Sequence, residues 1–172
     1  SLSAFKGASL RSGIPFAEVF ISFFQKPGIG RMLAFLLLYR LVEAMLVKIS
    51  GPFLIGDRAK GGMGLSTAEY GLAYGTIGIL MLTIGGVAGG YAAAKFGLKR
   101  MIFLMCLAIN LPDALYIYLA HYRPGMLETF LCVGGEALGY GFGFAAYMLY
   151  MLYIAGEGEH KTSHFAICTG FM

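Results

Sequence analysis

Charged residues are scarce in this sequence, which excludes an ordinary soluble globular domain. They make up 13% of the chain, whereas 58% of its residues are hydrophobic and its mean hydropathy is +0.74. A soluble domain has about 25% charged and about 45–50% apolar residues. Glycine is abundant, at 26 residues, as is common in transmembrane helices. The composition predicts an all-α integral membrane protein.

Motifs for catalysis, metal binding and disulfide formation are also lacking. No H-E-x-x-H, G-x-S-x-G or P-loop pattern occurs, and no loop has the pattern of a channel filter. The three cysteines lie in separate apolar runs without metal or disulfide spacing: Cys106, Cys132 and Cys168. His160 and His164, with Glu159 nearby, lack a further ligand, so capping or solvent exposure is the simpler interpretation. We expect no enzyme activity, no cofactor and no metal.

The apolar segments predict four complete transmembrane spans and a truncated fifth, because a span needs roughly 20 residues. They cover residues 32–50, 67–94, 101–120, 129–154 and 163–172. The first is predicted to stop at Gly51-Pro52, a capping box at Ser66 and Glu69 begins the second, and Pro112 is expected to kink the third.

Residues 1–31 are predicted to form a cytoplasmic loop without a signal peptide, since residues 1–13 have no apolar core. Within it, residues 14–27 form a helix whose polar positions share one face, as in a helix lying in the membrane interface. That face holds Glu18, Ser22, Gln25 and Lys26. The loops on this side hold eight cations and the opposite loops three, so the positive-inside rule makes it cytoplasmic.

The first span carries ionisable groups near the middle of the bilayer. In the run LLLYRLVEAML, Arg40 and Glu43 are three residues apart beside Tyr39. Together they would cost roughly 5–7 kcal/mol if unpaired, but at this spacing they can partly neutralise each other. They are either an ion pair that fixes helix register or a polar face on a water-filled cavity, and we favour the cavity.

The fourth span places an acid at a similar depth. Glu136 lies about 10–12 Å from the outer edge, next to a stripe of glycines that suits close helix packing: Gly135, Gly139 and Gly143. Tyr140, Tyr147 and Tyr150 form a row that is either a packing surface or a wall for a ligand such as a sugar. Asp113 in the third span is more simply interpreted as bonding to a neighbouring helix.

Two sequence motifs resemble a known family. The run GGYAAAKFGLKRM (89–101) is similar to the cytoplasmic loop motif of the major facilitator superfamily, with alanine and leucine at two positions that are usually charged. We assign it to Gly90, Lys95, Gly97, Lys99 and Arg100. The first, second and fourth spans, with the run HKTSHFAICTGF, resemble helices seven, eight, ten and eleven of AmpG-type muropeptide permeases.

This resemblance implies a major facilitator fold in the bacterial inner membrane, of which residues 32–172 would be part of the C-terminal six-helix half. The N-terminal half and the last helix would be missing. It also implies proton-coupled import of anhydromuropeptides by alternating access, with substrate, protons and lipid as partners and no nucleic acid. The expected substrate and proton pathway is Tyr39, Arg40, Glu43, Glu136, Tyr140 and Tyr147.

Three alternatives remain open from the sequence. The chain could belong to a facilitator for another substrate, such as acetyl-CoA, a sugar phosphate or a drug. It could be a non-transporting membrane sensor on the same scaffold, in which Arg40 and Glu43 are structural. A membrane enzyme would require a catalytic set outside this sequence.

Overall fold

The computed structural model describes residues 16–156 and 160–171, and every regular element in these ranges is helical. The helices are α1 (Phe16–Phe24), α2 (Ile29–Tyr39), α3 (Leu41–Ile55), α4 (Thr67–Phe96), α5 (Leu98–Tyr122), α6 (Met126–Ala155) and α7 (Lys161–Gly170). The predicted polar segment 1–13 and Glu159 lie outside the described ranges. The all-α prediction is confirmed for the described residues.

Among the described residues, three helices are long and apolar enough to cross a membrane: α4, α5 and α6. Many of their large apolar side chains are exposed in the chain alone, among them Val87, Phe103 and Leu131. Such exposure is unfavourable in water but suits a lipid-facing surface. The described residues therefore have the features of a multi-pass membrane protein.

The described residues divide into two compact units, one formed by those within 16–36 and 151–171 and the other by residues 37–150. In the first unit, α1 packs against α7. In the second unit, α3, α4, α5 and α6 surround a core that includes Leu54, Tyr116 and Val133.

Glycines let the helices of the second unit approach closely. A Cβ at Gly85 of α4 would overlap the backbone of Leu138 in α6, and one at Gly139 of α6 would overlap the backbone of Ala108 in α5. Gly143 is equally close to the backbone of α5. The predicted close packing is confirmed at Gly139 and Gly143.

Several other glycines do not mark close helix contacts. A Cβ at Gly71, Gly75 or Gly90 would meet no atom within 4 Å, and one at Gly135 would meet only a leucine side chain at ordinary contact distance. The predicted close packing of the glycine stripe of α6 is therefore not found at Gly135.

The first predicted span is not one continuous helix. It is divided between α2 and α3, which have 11 and 15 residues. The expected stop at Gly51-Pro52 is wrong, because α3 continues through Pro52 to Ile55. The following loop folds back so that Met63 and Leu65 donate their N–H groups to carbonyls of the last turn of α3. These bonds satisfy the helix end after Pro52, so the helix need not stop at the proline.

Local irregularities interrupt both α4 and α5. The capping box of Ser66 and Glu69 begins α4 as predicted, and a π-helical stretch follows over Gly71–Gly78. In α5, the predicted kink at Pro112 is a 3₁₀ turn over Leu111–Asp113. π-Helical turns are frequent at functional sites.

Candidate functional site

A helix break at Arg40 separates α2 from α3. Arg40 has φ −114° and ψ 3°, a sparsely populated conformation. The carbonyl of Tyr39 accepts a hydrogen bond from Asn110 Nδ2 of α5 at 3.0 Å, and the carbonyl of Arg40 accepts from Ala44 N at 2.9 Å. The break therefore leaves no unsatisfied carbonyl at these two residues.

The structure places Tyr39 and Tyr147 in the interior of the second unit. The Tyr39 hydroxyl donates to the carbonyl of Gly143 at 2.8 Å, and its ring centroid lies 5.5 Å from that of Tyr147. Both side chains are at most 2% exposed. In this conformation they connect the helix break to α6 and do not line a cavity described below.

The Arg40 side chain lies over aromatic rings of α6. Its guanidinium carbon is 5.7 Å from the ring centroid of Tyr140 and 5.6 Å from that of Phe144, a cation–π arrangement. Phe144 stacks on both Tyr140 and Tyr147. The aromatic row thus includes Phe144, which the sequence interpretation omitted.

A cavity of about 290 Å³ lies among α3, α4 and α6, and we call it the central cavity. Its polar lining is Arg40, Glu43, Tyr74, Glu136 and Tyr140. Four of these residues were predicted, and the structure brings them together from α3, α6 and the break before α3. Tyr74 was missed, because its orientation depends on the π-helical register of α4, which no spacing rule reveals.

Three carboxylic side chains gather beside this cavity. Glu43, Glu136 and Asp113 are 1%, 7% and 8% exposed. The 3₁₀ turn that carries Asp113 packs against α3, which carries Glu43, and the three carboxyl groups influence one another electrostatically. Glu43 Oε2 and both oxygens of Asp113 are buried without any hydrogen-bond partner.

The expected pairing of Arg40 with Glu43 is weaker than the sequence suggests. The two charges interact at a distance, but within the described part of the chain no ion pair joins them, and Arg40 Nε is buried without a partner. Since α3 begins only after Arg40, the two residues do not belong to one continuous helix face. Neither group is therefore locked by the other.

A second, larger recess lies between α3 and α5, and we call it the α3–α5 groove. Its volume is about 670 Å³, and its lining is mostly apolar. The polar side chains in it are Ser50, Asn110 and Asp113. Tyr116 also lines the groove, and its hydroxyl hydrogen bonds to that of Tyr74. Polar groups therefore extend from the central cavity to the groove.

The loop that resembles the facilitator motif forms a tight turn between α4 and α5. Gly97 has φ +82°, a conformation that side chains disfavour. The Lys95 ammonium lies 5.7 Å from the ring centroid of Tyr91, while Lys99 and Arg100 are exposed. Gly90 faces open space.

In the first unit, the polar face of α1 makes specific contacts. Ser22 Oγ is 3.0 Å from His164 Nε2. Lys26 Nζ donates to the carbonyls of Ile154 and Ala155 at the end of α6, each at 2.6 Å. Burial lowers the pKa of the Lys26 ammonium, so these hydrogen bonds offset a desolvation cost.

Capping or solvent exposure was expected for His160 and His164, but His164 is buried and His160, at the N-cap of α7, makes no side-chain capping bond. His164 occupies the side of α7 that contacts α1, and its ring packs beside Phe23. His160 is 5.9 Å away, measured between ring centroids. Among the residues that the structure describes, no group of three potential ligands is placed to hold a metal ion.

Comparison with known proteins gives one informative similarity. No family model and no solved structure matches the chain. A Rickettsia felis protein named "Putative transporter AmpG 1" is 25% identical over 170 residues, which are 99% of this chain and 35% of that protein. The chain thus spans about a third of the length of this curated relative.

Proposed function

We propose that the chain forms part of a proton-coupled secondary transporter that imports anhydromuropeptides or related sugar-peptides. The similarity to a protein named as a transporter supports the general class. The observation that carries the proposal is that Glu43 and Glu136, on two different helices, are both buried and line one cavity. Ionisable groups in such positions are costly in a membrane and typically mark a substrate or ion pathway.

The proposed mechanism is alternating access around the central cavity. Two halves of the transporter open in turn to either side of the membrane. Glu43 or Glu136 binds a proton while the cavity is closed to water and releases it when water enters. The helix break at Arg40 favours this role, since broken helices commonly form the binding sites of secondary transporters.

The remaining cavity residues suit an amphipathic, acidic substrate. Arg40 offers a guanidinium with an unpartnered Nε, and such a group can bind the carboxylate of a peptide. Tyr140 offers a flat ring and a hydroxyl, which suit a sugar. In the described conformation the Arg40 guanidinium lies over this ring, so substrate would have to displace it.

The membrane location, the fold and the partners are also proposals, and they follow from the resemblance to the family. We propose a bacterial inner-membrane protein with residues 1–31 in the cytoplasm and residues 32–172 in the C-terminal half of a major facilitator fold. Its partners are the N-terminal half, the substrate, protons and lipid. We propose no enzyme activity and no nucleic-acid partner.

Transport in proteoliposomes containing the full-length protein tests the proposal. We expect E43Q and E136Q each to abolish accumulation driven by a proton gradient. Exchange of labelled for unlabelled muropeptide without a gradient should persist, because the rest of the cavity is intact. E128Q is the matched control, since Glu128 is an exposed glutamate of the same helix as Glu136.

Normal accumulation by both E43Q and E136Q would reject the proton sites. Uptake of acetyl-CoA, a sugar phosphate or a drug in place of muropeptide would reject the substrate while keeping the transport class. If the protein is folded but transports none of these compounds, the alternative of a non-transporting membrane sensor would be favoured.

A further inference from the structure

Asp113 is a buried acid that the proposed transport cycle does not use. It lies at the end of the 3₁₀ turn created by Pro112 in α5. It is 8% exposed, and neither of its carboxyl oxygens has a hydrogen-bond partner. An unpartnered buried carboxylate loses its hydration without compensation. Its environment therefore calls for a ligand or a proton.

A second buried acid lies on the helix that packs against the turn of Asp113. Glu43 lies on α3, against which the turn of Asp113 packs, and it interacts electrostatically with Asp113. Its side chain is 1% exposed and has its own unpartnered oxygen. Ionised carboxylates only accept hydrogen bonds, so two of them facing each other repel. One proton removes both problems, because a protonated carboxyl group donates its O–H to the other carboxylate.

The charged and titratable groups around this pair do not replace that proton. Arg40, Glu136 and Tyr140 face Glu43 from the helix break and α6, and Tyr116 lies near it on α5. None of them donates to Glu43 Oε2 or to Asp113. Glu136 adds a further negative charge when ionised, which makes a doubly ionised pair still less favourable.

The two members of the pair face different spaces. Glu43 lines the central cavity, whereas Asp113 lines the α3–α5 groove. We propose that Glu43 and Asp113 bind one proton between them and form a single proton site that is accessible from both spaces. Binding changes the charge of the pair from −2 to −1, and the proton comes from, and returns to, water. The proton site itself is independent of transport, whereas its role in coupling rests on the proposed function.

Asp113 then shares one proton with Glu43 and binds none of its own. Infrared difference spectra of the purified full-length protein, compared with E43Q, D113N and the double variant, test this directly. In each single variant the new amide donates to the remaining carboxylate. We expect each single variant to lose the same protonated-carboxyl absorption, equivalent to one group. The double variant should lose no more than either single variant.

Two spectroscopic outcomes would overturn the proposal. Additive losses would mean that each acid binds its own proton, and no loss in either variant would mean that neither acid is protonated. E128Q, which changes an exposed acid, should leave this absorption unchanged.

Transport separates this inference from the proposed function. We expect D113N to lose gradient-driven accumulation while retaining exchange, as for E43Q. Shared absorption without any flux in the wild-type protein would keep the proton pair and reject the transport assignment. Normal accumulation by D113N would remove Asp113 from the coupling mechanism.

Discussion

Lys26 in the first unit and Glu43 in the second unit are both ionisable groups removed from full contact with water, but they are satisfied differently. Lys26 donates two short hydrogen bonds to carbonyls at the end of α6. Glu43 has a buried oxygen with no donor, beside a second unpartnered acid. A fully bonded group stabilises one structure, whereas an unsatisfied one can exchange a ligand. The difference separates a structural contact from a candidate proton site.

The largest difference in stability is expected between variants that remove the charge of Lys26 and of Glu43. K26M leaves two helix carbonyls without their donor and should lower the free energy of unfolding by about 1–3 kcal/mol. E43Q removes a buried charge and supplies an N–H donor, so it should not lower the free energy of unfolding. Chemical unfolding of the purified full-length protein measures both.

The reverse order of stabilities would contradict the assignment of Lys26 as a structural residue and Glu43 as a proton site. If E43Q were strongly destabilising and K26M neutral, Glu43 would be the structural residue. K48M is a useful control for the loss of a lysine, because Lys48 is exposed.

A smaller effect is expected at Tyr39. This residue tests whether the lack of a hydrogen-bond partner, or burial in the second unit by itself, marks a group as part of the proton pathway. Tyr39 is buried in the same unit as Glu43 but is fully bonded to Gly143. Y39F should cost about 0.5–1.5 kcal/mol of stability and leave the ratio of accumulation to exchange unchanged. A selective loss of accumulation in Y39F would instead make its hydroxyl part of the proton pathway.

Local sequence signals predicted the parts of the fold that depend on local interactions. The capping box at Ser66 and Glu69 and the kink at Pro112 are both present. The helix break at Arg40 was not predicted. Its Tyr39 carbonyl is satisfied by Asn110, which is 71 positions away in the sequence.

The candidate site was also predicted only in part, because some of its residues are brought together by contacts between distant parts of the sequence. Glu43 and Glu136 stand out as acids in apolar runs at similar depth, and the structure brings them to one cavity. Asp113 gave the same signal, but its proximity to Glu43 is a contact between α3 and α5 that one sequence does not reveal. Tyr74 depends on the π-helical turn of α4.

The central claim is that the buried carboxyl groups bind the proton that moves with substrate. Addition of muropeptide to the purified full-length protein, in weakly buffered solution with a pH indicator, measures it most directly. We predict a proton exchange with solution in the wild-type protein and in E128Q, and none in E43Q or E136Q while substrate still binds. An unchanged proton signal in both E43Q and E136Q would contradict the account.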